Sequence, residues 1–417
     1  MKRIHCILSG LLLLVTLPLG AQTIEGSRGH YTSMITREFA MAPGGNLVME
    51  ISGGDIRVTS WDKNSVQVLE TFTMKVFTRE EAEEIVKKLN ASYSQNAATL
   101  TIRNELDGNR LQEHAFEITL PQKFNLDLKT AGGDLDVSKV EGNVRLGTSG
   151  GDLLLSALTG AIEARTSGGD LSLETISGKI SAATSGGDII AKAIFAEGDL
   201  STSGGDVAVE KTTQRLALTT SGGDIVLQDI AGPLTAATSG GDISLTRFSG
   251  AQGSLQTSGG DLMVHTSQGQ LEMATSGGDV DCEEITKSLR AMTSGGDIDV
   301  RDLRAAAEVR SMGGDISVVM TLQDFTVPHA LTVETTGGEI SITLPARLPA
   351  TIEAEIRLQR RADPDERNDI YSDFPLTKIA PDETGGRILR SKGEINGGGD
   401  LIQLKTTGGD ITITKGK

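Results

Sequence analysis

The sequence predicts an all-β fold: a β-solenoid, that is, a single-stranded parallel β-helix of about 18 residues per coil. Three observations carry this. The pentapeptide Thr-Ser-Gly-Gly-Asp occurs intact nine times between Thr148 and Asp297, framed by variant copies at 130–134 and 311–315. Every step between aspartates is 18 residues except the 19-residue step from Asp242 to Asp261. The first and third residues after each aspartate are apolar, as in Leu153 and Leu155 or Ile225 and Leu227, with Ala191 and Cys282 the smallest members of the second column. Alternation at period two marks a strand with one face buried. A unit this short cannot bury its apolar face alone and must stack on its neighbours.

Each coil reads as two strands and two corners. The first strand follows the aspartate. The second precedes the next Gly-Gly, as in Val144-x-Leu146, Ile162-x-Ala164 and Leu271-x-Met273, and a weaker corner such as Leu158-x-Gly160 joins the two. A helix is excluded by the missing 3.6 period and by two glycines per unit, each costing about 1 kcal/mol in a helix. The Gly-Gly pair turns the chain sharply. Coils about 4.8 Å apart make the ten steps from Asp134 to Asp315 a rod of roughly 48 Å. Parallel crossovers are overwhelmingly right-handed, so the coil is expected to wind that way. The one extra residue falls around Ala251 to Gly253, at the weak corner, where insertions are tolerated.

Four regions follow. Residues 1–21 read as a secretory signal: Lys2 and Arg3, an apolar run around Leu11 to Val15, and Leu19-Gly20-Ala21 before Gln22. Residues 22–130 read as a small β-rich cap with one helix. Strands are expected over Phe39 to Val58, Ser65 to Val76, Thr99 to Arg103 and Ala115 to Leu120, with Thr78-Arg-Glu-Glu81 as a capping box opening a helix to about Ala91. Residues 131–319 are the regular array. Residues 320–417 are irregular coils: a loop with Pro328, a coil with Glu339 in the aspartate column, an excursion over 360–386, and a return at Gly397-Gly-Gly-Asp400 and Thr407-Gly-Gly-Asp410 that ends the chain.

Chemistry-bearing residues are sparse. The aspartate column points outward, because its neighbour points inward. Each carboxylate is expected to accept backbone N–H groups at its turn; the sharper alternative is a calcium ladder, since Gly/Asp-rich repeats bind calcium in secreted proteins. Against it, only one corner of each coil has the signature. Cys6 leaves with the signal, so the mature chain keeps Cys282 alone and forms no internal disulfide. Cys282 reads as a buried hydrophobe, not a nucleophile. His30, His114, His265 and His329 lack metal-ligand or triad spacing. Arg357, Arg360 and Arg361 form the one basic cluster of the C-terminal part, read as a solvated loop edge. No catalytic, cofactor-binding or metal residue is assigned. A net charge of −17 disfavours nucleic acid as partner. After the signal, no stretch is long and apolar enough to span a membrane.

The chain resembles a family of exported bacterial β-repeat proteins described as adhesins or as a domain of unknown function. The resemblance rests on Gly53-Gly-Asp-Ile-x-Val58 followed by Trp61-Asp62, on Ile118-Thr-Leu-Pro121 and on the Thr-Ser-Gly-Gly-Asp coils. It rests too on Gly393-x-x-Asn396-Gly-Gly with Thr407-Gly-Gly-Asp-Ile-Thr-Ile413, and it covers about residues 35–415. It implies adhesion. The expectation is a non-catalytic protein exported to the periplasm, outer-membrane surface or exterior, acting as adhesin or envelope scaffold on an unnamed surface ligand. The alternatives are a polysaccharide-acting β-helix enzyme and a calcium-stabilised surface repeat protein. An enzyme would need repeat-breaking residues converging on one face and aromatic sugar platforms; the chain has one Trp and three Tyr.

Overall fold

A computed structural model describes residues 22–90, 92–104, 111–358, 368–379 and 388–416. The signal call and its Cys6, with Arg360 and Arg361, lie outside these residues. Every coil of the array gives a strand to each of two long parallel sheets, such as Leu171–Ile176 to the first and Ile180–Ala183 to the second. Each sheet has 19 strands among the described residues. Pairing between successive coils is in register: Leu171 meets Ile189 and Leu173 meets Ala191, while Ile180 meets Gly198. A one-residue slip would turn every aliphatic outward, so this pattern fixes the stacking. The inward columns fill the space between the sheets as one continuous core from Phe39 to Ile413.

The weak corner is built by a backbone device. Simple alternation would turn the fifth residue after the aspartate inward. Instead that residue takes a left-handed conformation, with φ of 52° at Ala157, 57° at Thr175, 64° at Lys211 and 59° at Arg247. This switches the parity and turns the sixth residue inward: Leu158, Ile176 and Ile230 are fully buried. A third core column results. The extra residue of the long coil lies at this corner, since Gly250 stacks on Gly232, 18 residues back, while Gly253 pairs with Leu234, 19 back. Phe248 occupies the third column there. A Cβ on Gly250, Gly253 or Gly269 would stand 2.7, 3.1 or 2.7 Å from its ring, so small neighbours make room for the large side chain.

At each end the coils are stacked out of chain order. The N-terminal coil holds Gly45–Ile51 and Asp55–Trp61. Its strands lie between Phe124–Thr130 and Leu135–Ser138, which lead into the array, and those of a segment out of order, Thr99–Asn104 and Leu111–Pro121. Antiparallel strands Ser65–Met74, His30–Ala40 and Gln22–Ser27 then extend the first sheet. The helix Arg79–Asn90 packs Ala82, Ile85, Val86 and Leu89 with Ile35, Phe72 and Met74. Its capping box forms: Glu81 N–H donates to Thr78 Oγ1 at 3.2 Å, and Thr78 N–H to the Glu81 carboxylate at 3.3 Å. The span Phe39 to Val58, expected as strand with a turn at Gly53-Gly54-Asp55, holds the end of one strand, a whole second and the start of a third, because a further turn at 43–44 also breaks it.

At the C-terminus the last coil slots inside its predecessor. Asp400–Thr406 pairs with Leu331–Glu334 on one side and Ala350–Arg357 on the other. Ile411–Gly416 lies between Ile340–Pro345 and Ile370–Ser372. Two expectations are corrected here. The described part of the excursion, 368–379, does not leave the rod but adds Ile370–Ser372 to one sheet and Thr377–Ile379 to the other, antiparallel to Ile388–Ile395. And Gly397-Gly-Gly-Asp400 is not a copy of the array's corner, since the strand it opens belongs to the second sheet.

Candidate functional site

The repeated corner is the feature the sequence points to most strongly. Its threonine is buried. Thr166 Oγ1 donates to the carbonyl of Gly151 in the preceding coil at 2.9 Å and accepts from its own Gly169 N–H at 3.3 Å. The aspartate Oδ1 accepts the N–H of the aspartate in the next coil: Asp170 N–H to Asp152 at 2.8 Å, Asp188 N–H to Asp170 at 2.8 Å, and so on to Glu339 N–H on Asp315 at 2.7 Å. The expectation that each carboxylate serves its own turn is thus refined, because the donor lies one coil on. The second glycine lets the coils close, since a Cβ on Gly169 would stand 2.0 Å from the Gly151 carbonyl oxygen. Threonine, glycine and aspartate all serve coil-to-coil adhesion. The sequence showed the pattern but not the carbonyl that accepts from the hydroxyl, which lies 15 residues away.

The outward faces carry ion pairs that also run from coil to coil. Arg145 reaches Glu163 at 3.1 Å, and Arg247 reaches Asp229 at 2.8 Å. The Arg145 hydrogen bond, with Arg165 nearby, holds the Glu163 carboxyl below its usual range. Two shallow open troughs of about 660 Å³ each lie along the second sheet's outer face. One begins on stacked asparagines: Asn125 Nδ2 donates to Asn46 Oδ1 at 3.0 Å, and Asn143 N–H to Asn125 Oδ1 at 2.9 Å.

The cap holds a buried polar network. Glu70 accepts from Tyr93 Oη at 2.7 Å and from Arg37 Nη1 at 3.3 Å, with His114 Nε2 3.0 Å from its other oxygen. The Arg37 guanidinium lies 4.0 Å above the Tyr93 ring. Burial first, then the Glu70 charge, pushes the Tyr93 phenol well above its ordinary value, so it stays a donor. A buried pair with all polar atoms engaged fixes geometry more than it adds stability. Here it ties Tyr93, on the edge of the second sheet, to three strands of the first. Sequence reasoning missed it, because its four members come from separate strands with no shared motif.

The other candidates fall apart in space. Cys282 is fully buried with its Sγ 3.5 Å from Met273 Sδ, and burial, aided by Asp281 and Asp299, pushes the thiol far up. His265 pairs with Glu283 at 2.7 Å on the surface. His329 is buried, with Nδ1 2.8 Å from the Val327 carbonyl and Nε2 3.0 Å from that of Pro349, and its N–H donates to Asp400 at 2.8 Å. His30 lies in the antiparallel extension. Arg357 sits 2.8 Å from Glu355, so the described member of the basic cluster is ion-paired. Among the described residues no group of three or more His, Cys, Asp or Glu is placed to hold a metal, and no helix is long and apolar enough to cross a membrane.

Three overlapping segments, 45–268, 179–300 and 232–414, match the family model described as Toastrack DUF4097. Their overlap follows from the internal repeat, which fits one model in more than one register. No curated protein and no solved structure matches the chain.

Proposed function

The chain belongs to the Toastrack DUF4097 family, and we propose that it is an exported, non-catalytic rod acting as an adhesin or envelope scaffold. One observation carries the reading. The repeated polar residues, Thr166, Asp152 and their equivalents, are engaged in hydrogen bonds between coils. What the repeat maintains is a rigid length with ordered outward columns, the property a spacer or display surface needs. Carboxylates doing catalytic acid–base work would instead converge on a cleft with a substrate between them.

The chain offers a clean test of export. Met312 is 63 % exposed and Cys282 is buried, so a Met312→Cys variant, made with its parent in a Cys6→Ala background, places one reactive thiol on a quiet background whether or not the signal is removed. Labelling of whole bacterial cells with a membrane-impermeant maleimide is expected to modify that variant and spare the parent. Labelling only after lysis of the inner membrane would overturn export. A screen against soluble and wall polysaccharides is expected to find no turnover. Turnover abolished by one outward substitution would replace the scaffold reading with the enzyme.

A further inference from the structure

Each strand of the second sheet turns one residue inward between two that face out. Because the coils stack in register, these outward residues form two parallel columns with a valley between them, running along the rod. The two troughs occupy this one valley. The first is flanked by Asn125, Asn143 and Lys179 on one side and by Asp127, Arg145 and Glu163 on the other. The second is flanked by Gln252, Gln270 and Ser288 and by Ser254, Glu272 and Arg290. They span six and seven of the described strands, roughly 24 and 29 Å at about 4.8 Å per step. Arg215 stands in one column and Asp199 in the other, and their 3.1 Å ion pair crosses the valley between the troughs. We propose that this valley binds a linear, neutral glycan laid along the rod axis. The proposal gives the adhesin reading its ligand class, and it rests on that reading only in that the glycan is held and not cleaved.

Width, charge and functional groups point to that occupant. Residues on the two sides are two apart on a strand, about 7 Å, which seats one extended chain but is too narrow for a helix of about 10–12 Å. The strands beneath pair with coils on both sides, as Val144–Gly147 does, so an extended peptide would find no strand edge to add to. Among the described residues each trough is lined by two cations and two anions. The cations are ion-paired: Arg145 with Glu163, Lys179 with Glu197, Arg215 with Asp199 and Arg290 with Glu308. The lining therefore offers a charged polymer no net field, and the chain's net charge of −17 repels an anionic one. What remains are amides and hydroxyls, which both donate and accept and so match sugar hydroxyls. Asn143, Gln252, Gln270 and Ser288 present such groups at exposed positions. Asp127 lines the first trough, and its Oδ1 is buried with no hydrogen-bond partner among the described residues. A sugar hydroxyl is a donor that would relieve it. Among the described residues no aromatic side chain lines either trough. No ring then stacks on a sugar, each unit adds little, and affinity grows with the number of units engaged.

Affinity electrophoresis of the purified protein tests this with two neutral linear glycans, glucomannan and hydroxyethyl cellulose, and two anionic ones, alginate and polygalacturonate. The neutral glycans are expected to retard the protein, with less than about a twofold change between low and high salt, and the anionic ones to leave it unretarded. Asn143→Ala with Ser181→Ala in the first trough, and Gln252→Ala with Gln270→Ala in the second, should each weaken retardation about threefold, and all four together roughly tenfold. Ser172→Ala with Gln228→Ala on the first sheet's outer face should change nothing. All six positions are exposed, and circular dichroism confirms folding of each variant. Retardation by neither neutral glycan would overturn the proposal. So would preference for the anionic glycans, or loss of binding through the first-sheet pair in place of the trough variants. A retarded protein that shortened its glycan would support the ligand class and overturn the non-catalytic reading instead, while export is read separately by the maleimide labelling.

Discussion

At the scale of single residues, the corner assigns different duties to two adjacent glycines. An alanine Cβ at Gly169 would overlap the backbone of the preceding coil at 2.0 Å, whereas at Gly168 the nearest atom is 3.7 Å away. Gly169→Ala is therefore expected to destabilise by about 1–3 kcal/mol and Gly168→Ala to stay within ~0.5 kcal/mol; urea denaturation of the pair checks this. Equal losses would show that sharp turning, rather than close approach of coils, explains the second glycine. The left-handed column gives a prediction of opposite sign. Thr175 is β-branched and exposed at φ 57°, a conformation that costs a branched residue about 1–2 kcal/mol. Asparagine tolerates it, so Thr175→Asn should raise the melting temperature, and Ser172→Asn in extended backbone should not. This column shows where sequence legibility ended. Leu158 and Ile176 are plainly apolar, but they sit out of phase with Leu153 and Leu155, and only the backbone switch between explains why they also point inward.

At the scale of elements, the array's strands were legible because one periodicity and one register repeat in every coil. Leu173 and Ser172 alternate in sequence and are buried and exposed in the structure. The helix was legible because Thr78 and Glu81 form a local device. The short edge strands Tyr93–Gln95, Ile370–Ser372 and Thr377–Ile379 were not, since three residues carry no period and are strands only by virtue of partners far along the chain. The same holds for the Glu70 network. Where Ala350–Arg357 pairs antiparallel with Ile388–Ile395, burial pushes the Glu355 carboxyl up, but hydrogen bonds from Arg357 and Arg390 outweigh it and hold the group below the usual carboxylate range. A depressed folded value means stabilisation that is present above the unfolded pKa of about 4.3 and lost as pH falls through the lower folded value. Glu355→Gln is therefore expected to lower the melting temperature at pH 7 and to converge with the parent in strong acid. A deficit independent of pH would mean that packing, not charge, accounts for the residue.

At the scale of the whole molecule, an open solenoid exposes core and unpaired strand edges at both ends. This chain closes each end by returning on itself, so that a later segment covers an earlier coil at the N-terminus and the last coil is enclosed at the C-terminus. Local pattern cannot reveal this, because Asp410 and Ile411 carry the same Gly-Gly-Asp-aliphatic motif as the coils of the array. Solenoid stability is a sum of coil and neighbour terms, so each end's arrangement predicts how truncation acts. Removal of residues 397–417 takes out an interior coil: Ala350–Arg357 loses its parallel partner Asp400–Thr406, and Ile340–Pro345 loses Ile411–Gly416. Hydrogen exchange is expected to show protection lost across 340–357 and 388–395, with the array up to Asp315 unchanged. Removal of Gln22–Ser27, an exposed strand at the first sheet's edge, should leave the array and the C-terminal coils protected as before. If the C-terminal truncation instead left 340–357 fully protected, the last coil would be an outer layer and the enclosed order of coils would be wrong.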